Sequence, residues 1–172
     1  MAWELMGTVM MRKTAGFTLI ELLIGLVVLA ILLTTAIPAF RAFIQNNRLD
    51  SEANDLVAAT QLARSEALKR GVNVTICSSN NGTSCGGGFR DGWIVIEDPA
   101  VPASLVQSWP SPGPDFQFTP AGVRVDFAPS GFLLGAAAVN LDMVLSECSN
   151  DNARQIQIER TGRVASRRVA CP

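Results

Sequence analysis

The 172-residue chain has no histidine and no tyrosine. Without them, and with an even set of four cysteines, it lacks the usual nucleophile–base pairs of covalent catalysis. No enzyme and no catalytic residue is expected. Metal chemistry is no better served. The cysteine spacings fit no zinc template and no imidazole is present to complete one. The acids Glu97, Asp98 and Asp151 stand without the spacing of a calcium loop, and they read as solvated surface acids. Neither a metal nor a cofactor is expected. Charge is sparse as well: charged residues are 17% of the chain and the formal net charge is −1. That balance excludes a wholly basic nucleic-acid binder but not a local basic patch. The glycine-rich stretch from Ser78 to Gly88 lacks the lysine and following helix of a phosphate loop, so it reads as a surface loop.

What the chain does have is one long apolar run. Phe17 to Phe40 carries a single charge, Glu21, and is preceded by Arg12 and Lys13. A helical membrane span needs roughly 20 apolar residues, so the run is long enough to cross a bilayer. A secretory signal places its apolar region before the cleavage site and loses it. Here the small residue Gly16 comes before the run, so cleavage there would leave the apolar helix on the mature chain. A carboxylate this deep in such a helix asks for a partner. Pro38, with no N–H to donate, predicts a kink late in the run.

The stretch Ala15-Gly16-Phe17-Thr18-Leu19-Ile20-Glu21 resembles the class III signal of type IV pilins and pseudopilins, G-F-T-L-x-E, read by the prepilin peptidase. The resemblance implies cleavage between Gly16 and Phe17 and N-methylation of the new amino-terminal Phe17. It also implies that Glu21, then the fifth residue, meets the amino-terminal ammonium of a neighbouring subunit. In an apolar bundle, an unpaired carboxylate and an unpaired ammonium are each costly, and pairing relieves both. The leader would be residues 1–16, leaving 156 residues with a net charge of −2. Met10 or Met11 would serve equally as the start.

All four cysteines, Cys77, Cys85, Cys148 and Cys171, follow the span, on the side that would face an oxidising periplasm, and they read as disulfides. Three pairings are possible; proximity favours Cys77–Cys85 with Cys148–Cys171. The first would close the glycine-rich loop and the second would tie the carboxy-terminus back to the domain.

Beyond the apolar run the helix continues. Leu49, Ala53, Leu56, Thr60, Ala63 and Ala67 recur at steps of four and three, an apolar stripe with Arg48, Asp50, Asp55, Glu66 and Lys69 on the other faces and Arg64 on its flank. Gly71 after Arg70 is a stop signal. The spacing predicts one helix over 17–70, with 17–40 in the membrane or filament core and 41–70 amphipathic. After Gly71, short β-like runs follow at 72–77, 92–97, 115–119, 123–127 with a hairpin return at 132–134, 141–145, 154–160 and 163–170. Pro99 to Pro114 reads as an irregular connection. The expected architecture is α+β, a long amino-terminal helix packed on one antiparallel β domain, 71–172.

The helix from Asn46 to Gly71, with Val74-Thr75-Ile76-Cys77, Gly92-Trp93-Ile94-Val95, the turn from Phe127 to Gly131, and Thr161-Gly162-Arg163-Val164, resembles in order the GspH/FimT family of minor pilins and pseudopilins. The resemblance implies a structural and assembly subunit that helps prime or cap a type IV pilus. Its expected partners are other minor and major pilins and the prepilin peptidase. Its expected place is the inner membrane, spanned once with the globular domain periplasmic, and then the pilus or pseudopilus. Two alternatives are a GspH-type pseudopilin of a type II secretion system and a DNA-binding minor pilin for natural transformation. The last would use a basic carboxy-terminal tail with a G-R-x-R pattern. Gly162-Arg163 matches its start, but Ala165 stands where the second arginine belongs, and the next are Arg167 and Arg168. From Arg154 onward five arginines face one glutamate. On a strand, Arg163 and Arg167 share one face and Arg168 takes the other. No aromatic residue in this tail could stack on bases. The competing reading is a solvated edge strand whose arginines discourage aggregation.

Overall fold

The computed structural model describes residues 16–98, 104–135, 137–148 and 152–172. Most of the leader, with Arg12 and Lys13, lies outside the described residues, as do Asp151 and the start of the connection at Pro99. The chain divides into two compact units, one ending at Arg41 and the other Ala42–Pro172.

The first unit is the apolar part of helix α1, which spans Leu19–Arg70 and includes Pro38. It is long and apolar enough to cross a membrane, and its side chains up to Arg41 are exposed. The helix starts at Leu19 rather than Phe17 because Thr18 caps it. The Thr34 and Thr35 hydroxyls donate back to the carbonyls of Ile31 and Leu32, at 2.7 and 3.0 Å. Those bonds leave no free hydroxyl on a face without polar neighbours.

In the second unit, α1 buries Leu49, Ala53, Leu56, Ala59, Thr60, Ala63 and Ala67, the expected stripe plus Ala59. Thr60 is tolerated there because its hydroxyl bonds the Leu56 carbonyl at 2.8 Å. Two four-stranded sheets complete the unit. The first comprises β1 (Val74–Ser78), β2 (Trp93–Ile96), β3 (Leu105–Trp109) and β5 (Arg124–Phe127), in the order β3-β2-β1-β5. The second comprises β4 (Phe116–Thr119), β6 (Val139–Leu145), β7 (Ala153–Ile158) and β8 (Val164–Val169), in the order β4-β6-β7-β8. Every pairing is antiparallel. Both sheets contribute to one core with the helix stripe, through Ile76, Trp93, Phe116, Phe127, Met143 and Ile156 among others.

One expectation is corrected. The supposedly irregular stretch before Pro114 contains strand β3, whose Val95/Ile96 register break on β2 marks a bulge. It pairs on one side only and carries Gln107 and Ser108 exposed, so it has no apolar alternation to betray it. The turn at Pro129–Gly131 does return the chain on itself: Leu133 bridges Phe127 and the Leu134 N–H donates to the Asp126 carbonyl at 2.7 Å. The return is too short to become a strand.

Candidate functional site

At the amino-terminal end, Gly16 and Phe17 are exposed. Thr18 and Glu21 form a reciprocal pair of hydrogen bonds. The Glu21 N–H donates to the Thr18 hydroxyl at 3.2 Å, and the Thr18 N–H donates to the Glu21 carboxylate at 3.4 Å. This is a capping box, in which spacing i, i+3 satisfies two amides that a helix start leaves without partners. The carboxylate that the sequence marked as needing a partner is therefore engaged by its own backbone in the single chain.

At the carboxy-terminal end, β8 is an edge strand paired with β7 alone. Its arginines divide by face. Arg168 reaches toward α1, with its guanidinium 3.5 Å from the Asp50 carboxylate. Arg167 bonds the side-chain oxygen of Gln155, its Nε at 2.9 Å, and Gln155 in turn donates to Asp142 at 2.6 Å. Arg163 lies just before the strand, exposed, in the turn that Gly162 makes with φ +79°. Arg154 belongs to a different class. Only 2% of its side chain is exposed, and its Nε sits 2.6 Å from the Asp50 carboxylate. Its Nη1 donates to its neighbour's carbonyl, that of Ala153, at 3.1 Å. This corrects one reading: Arg154 belongs to an internal ion pair, with Asp50 as its counter-ion, rather than to a basic tail. The hydrogen bond from Arg154 holds the Asp50 carboxyl below its ordinary pKa, against a smaller opposing effect of burial. No sequence spacing could have paired them, since 104 residues separate the two.

The disulfides are Cys77–Cys85 and Cys148–Cys171. The first pins the loop after β1, where the Ser79 hydroxyl donates to the Ser84 carbonyl and the Asn81 carboxamide oxygen accepts the Thr83 and Ser84 amides. The second fixes the end of β8 near the end of β6. Of the acids expected to be free, Glu97 pairs with Arg70 at 2.9 Å. Among the described residues no group of His, Cys, Asp or Glu side chains could hold a metal. Arg64, on the flank of the stripe, has a partner that sequence did not give: its Nε donates to the Gly131 carbonyl at 3.1 Å, joining α1 to the turn after β5.

A family model described as Type II transport protein GspH matches residues 52–162, which covers the later part of the amphipathic helix and strands β1 to β7. The chain belongs to the GspH family. A second model, the prokaryotic N-terminal methylation motif, matches residues 11–37 of this GspH-family chain. A comparison with curated proteins finds no match. Two crystal structures of the type IV minor pilin FimU from Pseudomonas aeruginosa share the fold. One aligns with TM-score 0.57 and 19% identity over 76% of this chain and 92% of that one. The other gives 0.55 and 20% over 69% and 92%. The long apolar helix, the methylation motif and the two antiparallel sheets give this GspH-family chain a pilin-like fold, with an amino-terminal helix long and apolar enough to cross a membrane.

Proposed function

We propose that this GspH-family chain is a minor type IV pilin that helps prime or cap the pilus. Cleavage after Gly16 exposes Phe17, which is then methylated. The helix over 17–40 anchors the chain in the inner membrane with the β domain periplasmic, and later packs laterally with other pilins. The observation that carries the reading is the joint presence of the methylation motif at residues 11–37 and the fold shared with FimU. Glu21 would exchange its bond to the Thr18 amide for the ammonium of a neighbour, so the carboxylate never needs to be bare.

The test is a count of surface pili in a deletion strain whose retraction motor is also disabled. Loss of pili is expected, and complementation should restore them. Normal piliation refutes the priming role and transfers the chain to secretion or DNA uptake. Mass spectrometry of the membrane-bound chain should find an amino-terminal N-methylated Phe17.

A second reading, contact with DNA, has one observation in its favour: Arg163 and Arg167 are exposed and neither has a carboxylate within ion-pair distance among the described residues. Counterion release would then make binding fall steeply with salt. Arg163→Ala with Arg167→Ala should reduce that salt slope. An unchanged affinity removes both residues from the account.

A further inference from the structure

Arg64 and Arg163 line one open cleft of about 350 Å³, between α1 and the turn before β8. Gln61 and Ser65 supply polar groups, and Leu68 and Val164 form an apolar side. Neither arginine has a carboxylate within 4.0 Å among the described residues, whereas Arg48, Arg70, Arg124, Arg154 and Arg168 each do. The Nε of Arg64 is taken by the Gly131 carbonyl, which fixes that guanidinium in place. The closeness of the turn depends on Gly162, where a Cβ would collide with the Gly131 carbonyl and with Arg64.

Leu68, on the apolar side of the cleft, lies against the Gly131 turn, and Phe132 is the next residue in that turn; both side chains are about half exposed. Arginines beside exposed aromatic and aliphatic residues make the composition of a protein-recognition surface. Nucleic-acid interfaces are more uniformly polar and positive than this surface, which sets Leu68 and Phe132 beside its arginines. A two-fold contact centred on this surface would set Arg64 and Arg163 against the same pair in a second copy, so charge favours a different chain as the occupant.

We propose that this surface docks a different protein subunit, one presenting an aspartate or glutamate beside apolar side chains: the carboxylate enters the Arg64–Arg163 cleft and the apolar groups cover Leu68 and Phe132. It rests on the minor-pilin reading only in identifying that partner as another pilin-type subunit.

The experiment uses the full-length chain in its own cells, with the photo-reactive residue p-benzoylphenylalanine in place of Phe132 and, as a control, in place of Gln107 on β3. Adducts are mapped residue by residue by mass spectrometry. The expected adduct joins Phe132 to another protein, within a few residues of an acid. Arg163→Glu should cut its yield about tenfold or more, and reversing that acid to Arg in the partner should restore it. Among the described residues the Arg163 side chain makes no hydrogen bond, so an unchanged melting temperature checks that the variant is folded. Several results overturn the proposal: yield no higher than at Gln107, an adduct to a second copy or to DNA, indifference to Arg163→Glu, or failure of the charge reversal. Sheared filaments from the same cells separate the two readings. A chain found in filaments without the adduct refutes the docking surface alone. An adduct with no chain in filaments and normal piliation removes the pilus role and leaves the surface standing.

Discussion

Replacing Asp50 with alanine tests the internal ion pair. The variant strands the Arg154 guanidinium with 2% of its side chain exposed and only the Ala153 carbonyl and a long contact of 3.5 Å to Asn46. Removing one partner of a fully buried pair costs about 3–5 kcal/mol. Asp50 is 43% exposed, so solvent screens the pair and the figure must be reduced, to about 2 kcal/mol, in line with a hydrogen bond to a charged group. For a unit the size of Ala42–Pro172, that loss lowers the melting temperature by about 6–10 °C. The assay is thermal unfolding of the purified chain in detergent, followed by tryptophan fluorescence. The pH dependence has a definite sign. The Asp50 carboxyl is held below its ordinary pKa, so its stabilisation is complete above the unfolded value of about 3.9 and fades as pH falls through the lower folded value. The gap between wild type and Asp50→Ala should therefore be full near neutrality and close on acidification below about pH 4. Adding Arg154→Met to Asp50→Ala should recover stability by removing the stranded charge. A single variant melting within about 2 °C of wild type would refute the reasoning, and so would a gap indifferent to acid.

Other outcomes follow from neighbouring features. Burial, and secondarily Asp55, raise the Glu52 pKa, so its ionised form costs stability above that value; Glu52→Gln should melt higher near neutral pH and no differently in acid, as thermal scans at both would show. Gly162→Ala forces a positive φ and a clash with the Gly131 carbonyl, and should cost about 2 kcal/mol or more in a urea titration. Glu21→Gln keeps the capping box but removes the charge, whereas Glu21→Val removes both. If the charge serves assembly, both variants should stay in the membrane and be depleted from sheared filaments. Normal incorporation of the glutamine variant would assign the residue to helix capping alone.

Features written in short-range pattern were legible from sequence. The apolar run with its lone Glu21, the stripe Leu49 to Ala67, the stop at Gly71 and most strands depend on neighbours in the chain, and spacing reports neighbours. The division of the strands into two sheets was not legible, because periodicity says which side of a strand is buried and not which strand lies beside it. Strand β3 was masked by the prolines and glycine around it and by its own polar centre. The candidate site divided the same way. The Thr18–Glu21 spacing is visible in the letters, but the fate of Arg154 depended on an acid 104 residues earlier, and the Arg64–Arg163 cleft on two turns that meet at a glycine.

The Cys148–Cys171 bond gives the carboxy-terminal strand a property its sequence would not suggest. With that staple at one end and the Gly162 turn wedged at the other, β8 is a ruler rather than a tail. Its two arginines keep a set pitch, Arg167 on one face and Arg168 on the other, with same-face positions about 7 Å apart along the extended backbone. Whatever meets this edge must match that interval, because the strand cannot wrap or slide to suit it. In return, little freedom is lost on contact, so even a sparse set of bonds can hold a partner.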